Sequence, residues 1–96
     1  MSAFFIVTTS IKDPEKFQEY AGKASQTFTS FGGKLVTKGK AESVLAGTSD
    51  HQNSAVVAFP DMDALTGWYN SADYQALIPL RTEAADMTLV AYSVPA

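Results

Sequence analysis

A chain of 96 residues with a net charge of −3, no cysteine and no basic run is the length of one domain, residues 1–96, and several functions are already excluded. Disulfides, iron–sulfur clusters and thiolate nucleophiles need cysteine, and an acidic chain offers no footprint for a phosphate backbone, so no nucleic acid is expected as a partner. With 46% of residues hydrophobic, 11% aromatic and only 18% charged, the chain carries much apolar surface for a small monomer to hide.

Residues 3 to 9, AFFIVTT, are largely β-branched or aromatic and predict a strand; their apolar run is far too short to span a membrane. The expectation is a soluble, cytoplasmic protein with no membrane partner. Asp13-Pro14 predicts a helix start, with Asp13 as N-cap, Pro14 at the first helical position and Glu15 on the positive end of the dipole. Phe17, Tyr20, Ala21, Ala24, Phe28 and Phe31 form one apolar stripe, which Gly32-Gly33 ends. Residues 34 to 47 predict two strand pieces meeting at Gly39-Lys40, as a bent strand or tight hairpin, with Lys34, Lys38 and Lys40 on the solvent side. A polar loop, 48–53, and a third strand, 54–59, follow.

Pro60-Asp61 opens a second helix that carries Met62, Leu65, Trp68 and Tyr69 on one side. Ser71 is placed to cap the next turn; it reads as a cap and not as a nucleophile, because no histidine is near it in sequence. Pro79 lacks the donor for the Gln75 carbonyl, so a kink or restart is expected there. A last strand over 88–94 completes β-α-β-β-α-β, the order of the α+β ferredoxin-like fold with an antiparallel four-stranded sheet.

In that fold both helices lie on one face of the sheet, and a face that met water would be polar. Here the strands are apolar on both faces. Phe5 and Val7 oppose Phe4 and Ile6; Ala55, Val57 and Phe59 oppose Val56 and Ala58; Leu89 and Ala91 oppose Val90, Tyr92 and Val94. A second copy packed face to face about a two-fold axis is the simplest cover, so a homodimer through the sheet face is expected.

The segments DPEKFQEYAGKASQTFTSFGGKL and FPDMDALTGWYNSADYQALIPLR, followed by a short closing strand, resemble the domain of unknown function 1330 family of the dimeric α/β-barrel superfamily. The most specific part is Trp68-Tyr69, Ser71, Tyr74-Gln75 and then Arg81, supported by Asp13-Pro14, Gly32-Gly33 and Phe59-Pro60. The resemblance covers nearly the whole chain. It implies the fold argued above and a dimer whose two sheets form a barrel-like core, but it implies no reaction. Related families of that superfamily include monooxygenases acting on quinol-type substrates, lactone isomerases and haem proteins, an analogy of fold only. The chain also departs from the family pattern. Ala58 stands where an acidic residue is common, and His51-Gln52-Asn53 stand where basic residues often occur, which implies a less charged pocket.

The expected site is a small-molecule pocket between the sheet and the helices of 62–86. Arg81 would offer a rigid fork to an anionic or phenolic oxygen, with Trp68, Tyr69 and Tyr74 as aromatic walls and donors. Against this stands the plainer expectation that Arg81 pairs with Asp73, Asp86 or a partner-subunit carboxylate while the rings fill space. His51, Tyr74 and Arg81 are the catalytic candidates; His51, the sole imidazole, otherwise reads as a solvated loop residue. One histidine, no cysteine and scattered carboxylates predict no metal and no cofactor. A cofactor-free monooxygenase or isomerase and a non-catalytic interaction dimer are the alternatives to a binding protein.

Overall fold

The computed structural model describes residues 2–95. Four strands and four helices follow one another as β1 (Ala3–Ile11), α1 (Pro14–Thr29), β2 (Lys34–Lys40), β3 (Asn53–Phe59), α2 (Met62–Tyr69), α3 (Ala72–Gln75), α4 (Ile78–Ala84) and β4 (Ala85–Ser93). The strands form one antiparallel sheet in the order β2-β3-β1-β4. The molecule measures 32 × 31 × 16 Å, and its short dimension accommodates one sheet and one helical layer.

The local signals act as expected at most boundaries. The Asp13 carboxylate accepts from the Lys16 amide at 3.2 Å, and Pro14 begins α1. Gly32 takes φ 81°, and the Gly33 amide returns to the Phe28 carbonyl at 2.8 Å. A Cβ on Gly33 would lie 2.9 Å from that carbonyl and 3.0 Å from the Phe59 ring, so the chain turns where only glycine fits. Ser71 caps α3, accepting from the Tyr74 amide at 3.2 Å while its hydroxyl donates to the Trp68 carbonyl at 2.7 Å. Pro79 lies in the first turn of a separate helix, α4, which is the restart expected there.

Two expectations about residues 34–53 need correction. Only Lys34–Lys40 forms a strand; the second piece is absent, and 41–52 forms a loop that exposes Val44 and almost fully exposes Leu45. The lysines are all exposed, as expected, but they do not share one side of the strand. The register of β2 shifts between Leu35 and Thr37, leaving Val36 as an extra residue. Lys34 and Thr37 pair with Ala58 and Val56, whereas Leu35, Lys38 and Lys40 pair with Val57, Ala55 and Asn53. A β-bulge inverts the alternation beyond it, so Lys38 and Lys40 turn to the helical face.

The core lies between sheet and helices. Phe5, Val57 and Phe59 from the strands meet Tyr20 and Ala24 of α1, Leu65 and Trp68 of α2, and Tyr74 of α3. Phe4, Ile6, Val56 and Ala58 point away from the helices and are half-buried, while Val90 and Tyr92 are exposed beside them. Tyr92 stacks on Phe4 with ring centroids 5.1 Å apart. The register places Phe4 between Ala58 and Tyr92, and Ile6 between Val56 and Val90, so these residues form one continuous apolar patch.

Candidate functional site

A cleft of about 750 Å³ opens between α1 and the sheet, its floor drawn from all four strands. Its walls include Phe5, Val7, Phe28, Leu35, Val57 and Trp68, and the only charged residues in its lining are Lys38 and Lys40. The cleft exists because α1 does not cover the edge strand: every residue of β2 is exposed. The space lies between the sheet and α1, not against the 62–86 helices, from which Trp68 alone enters its wall.

Trp68 is positioned from three sides. Its ring stacks on Phe5 at 5.1 Å, meets Tyr74 at 4.4 Å, and donates its indole N–H to Thr27 Oγ1 at 2.9 Å. Thr27 in turn donates to the Ala24 carbonyl at 2.7 Å, which leaves the Thr27 oxygen free to accept from the indole.

Behind this wall lies a phenol cluster. Tyr74 is wholly buried, and its hydroxyl lies 2.7 Å from that of Tyr20. Arg81, on α4, donates to Tyr74 Oη at 2.9 Å and to Tyr69 Oη at 3.4 Å, with its guanidinium carbon 5.9 Å from the Tyr74 ring centroid. Burial opposes the charge of Arg81, but the hydrogen bonds to Tyr69 and Tyr74 outweigh it and hold the guanidinium protonated beyond its ordinary range. Burial, reinforced by the neighbouring Tyr74, pushes the Tyr20 phenol far above its ordinary value. Among the described residues the ion pairs are Lys12–Asp86, Lys16–Glu83 and Lys23–Glu19, so within the chain Arg81 has phenols and not Asp73 or Asp86 as partners.

The predicted residues thus divide. Trp68 lines the cleft; Tyr69, Tyr74 and Arg81 join one another but stand outside its lining. His51 is elsewhere. Its Nδ1 lies 2.8 Å from Ser10 Oγ and its Nε2 3.4 Å from Thr88 Oγ1. Ser10 follows Phe4, Ile6 and Thr8 in alternation, and Thr88 pairs with Thr8, so the imidazole sits on the sheet face opposite the cleft. It is half-buried and doubly bonded, not a free loop side chain. Tyr20 is the residue that sequence reasoning missed. Its place in the apolar stripe of α1 looked like packing, and nothing local distinguishes a stripe tyrosine that bonds Tyr74 from one that only fills space. Among the described residues no group of three or more His, Cys, Asp or Glu comes together to hold a metal ion.

The architecture defines a ferredoxin-like α+β protein. The chain belongs to the DUF1330 family, described as a domain of unknown function, which residues 2–94 match. No curated protein matches the sequence. Among solved structures, a protein of unknown function from Rhodopseudomonas palustris shares 18% identity at a TM-score of 0.82, covering 99% of this chain and 83% of its own. SnoaB, a cofactor-independent oxygenase from Streptomyces nogalater, shares 10% identity at a TM-score of 0.71, covering 99% and 94%. A dimeric ferredoxin-like protein of unknown function from Thermobifida fusca shares 12% identity at 0.62, covering 98% and 92%. At these identities the likeness is one of fold. No helix among the described residues is long and apolar enough to cross a membrane.

Proposed function

We propose that this protein is a homodimer paired through the apolar sheet face, and that each subunit holds a small molecule with an anionic or phenolic group between α1 and the sheet. The observation that carries the reading is the cleft, whose volume of about 750 Å³ is within the usual range for small-molecule sites. Its apolar walls suit a ring or short chain, and Lys38 and Lys40, with no carboxylate in the lining, favour a negative charge at the mouth. Trp68 contacts the ligand directly. Tyr69, Tyr74 and Arg81 act from behind the wall as a rigid polar support.

Pairing through the sheet follows from the cost of leaving its outer face wet. Fully burying a Val, Ile or Phe side chain contributes about 1.5–3 kcal/mol, and Phe4, Ile6, Val56 and Val90, which lie together there still partly exposed, would each gain a share of that. The dimeric neighbour from Thermobifida fusca supports this reading.

A second reading, a cofactor-free oxygenase or isomerase, is favoured by the phenol network beside the cleft, which suits stabilisation of an oxyanion. The fold shared with SnoaB is compatible with it. His51 takes no part in this chemistry, since it serves the opposite face.

Thermal-shift measurements against aromatic carboxylates and phenols test the proposal. Members of the panel should raise the melting temperature of the native protein. Ala21→Trp, which places an indole in the cleft from an exposed helical position, should abolish that rise and leave sedimentation at two-chain mass. A rise that survives Ala21→Trp would mean that the ligand binds elsewhere. Consumption of a quinol or lactone by the native protein, and not by Ala21→Trp, would establish the enzymatic reading.

A further inference from the structure

We infer that the Tyr20 hydroxyl is a hydrogen-bond donor aimed at an oxygen acceptor in the cleft, with its direction set from Arg81 through Tyr74. The proposal rests on the cleft reading above and names the chemistry at its inner end: a ketone, enolate or phenolic oxygen on an apolar body.

The direction follows from counting protons. A guanidinium only donates, so Tyr74 Oη accepts from Arg81 at 2.9 Å. Tyr74 has one proton, and the Tyr20 oxygen is 2.7 Å away. If that bond ran the other way, the Tyr74 proton would have no acceptor at a wholly buried residue, which is costly. The chain of donation therefore runs Arg81 to Tyr74 to Tyr20. The Tyr20 proton is left to the Met87 thioether, with Oη and Sδ 3.9 Å apart. Sulfur is a weak acceptor on a flexible side chain, and both Tyr20 and Met87 line the cleft. A ligand oxygen that displaced Met87 would receive a better hydrogen bond than sulfur accepts.

The environment keeps this donor in its working form. Tyr20 remains a neutral phenol through the ordinary pH range because burial opposes its ionisation. Successive donors polarise one another in a buried chain, and here the chain begins at a fixed positive charge. No carboxylate lines the cleft to compete for the proton.

Two probes that differ at one end test the inference: 6-acetyl-2-naphthoate, which carries a ketone, and 6-isopropyl-2-naphthoate, which has the same shape and charge without the acceptor. The native protein should bind the acetyl compound more tightly, and its ketone stretching band should move to lower frequency on binding. In Tyr20→Phe the acetyl compound should lose about three- to tenfold in affinity and the band shift, while the isopropyl compound should bind as before. The isopropyl affinity guards against a damaged variant, and Met87→Leu, which leaves Tyr20 intact, should retain the band shift. If both probes bind but Tyr20→Phe changes the two affinities by the same factor, or the ketone band does not move in either the native protein or Met87→Leu, the Tyr20 donor is overturned and the cleft stands. If neither probe binds, the cleft reading falls and the donor falls with it.

Discussion

Arg81 Nη1 donates to Tyr74 Oη at 2.9 Å, and Tyr74 is wholly buried. The one charged side chain of the 67–81 segment that reaches toward the core therefore ends on a phenol and not on a carboxylate. Removing it leaves the Tyr74 oxygen without its charged donor. Arg81→Met, which keeps much of the packing stem, should lower stability by about 1–3 kcal/mol in denaturant titration. A variant as stable as the native protein would show that the network is not under tension between burial and satisfaction.

A second expectation concerns alkaline pH. The Tyr20 phenol is raised in the folded state, against about 10 in an unfolded chain. Below that value neither state ionises and the contribution of Tyr20 to stability is complete. Above it the unfolded chain gives up the proton that the folded chain keeps, so stability falls as pH rises. Melting temperatures measured from pH 8 to 11 should decline, and the decline should be shallower in Tyr20→Phe. Equal slopes in the two proteins would contradict the assignment.

The outer face of the sheet makes the third prediction. Ile6 lies between Val56 and Val90, at the centre of the apolar patch. Ile6→Lys introduces a charge where a second sheet would pack, and burying a charge without a partner is costly. Sedimentation should show two-chain mass for the native protein and single-chain mass for the variant. A native protein that sediments as one chain at micromolar concentration would remove the dimer.

His51 allows a fourth, negative prediction. Its partners, Ser10 and Thr88, tie the end of the 41–52 loop to the outer face of the sheet. His51→Ala should speed proteolysis within that loop, where Val44 and Leu45 are exposed, and leave the affinity of cleft ligands unchanged. Loss of cleft binding in His51→Ala would place the imidazole in the site after all.

Much of the architecture was readable because its determinants are local. Asp13-Pro14, Gly32-Gly33, Ser71 and Pro79 each act through the backbone of their own turn, and period-two alternation in residues 3–7, 55–59 and 89–92 states which side chains share a face. The candidate site was legible in part. Trp68 lies in the lining of a cleft, but that cleft opens against α1 and not between the sheet and the 62–86 helices where the pocket was expected. Tyr69, Tyr74 and Arg81 do assemble, but one layer further in, because three helices meet there and their longest side chains find each other before they find open space.

What the amino-acid order determined by itself was the set of elements, their caps, and sheet faces that are oily on both sides, all consequences of short-range geometry and side-chain period. Only the tertiary structure decided that α1 would leave β2 uncovered, that a bulge at Val36 would turn Lys38 and Lys40 toward the gap, and that Tyr20 would meet Tyr74 across 54 positions of chain. Those outcomes depend on how layers settle against one another and on a one-residue slip in register. No window of sequence contains that information.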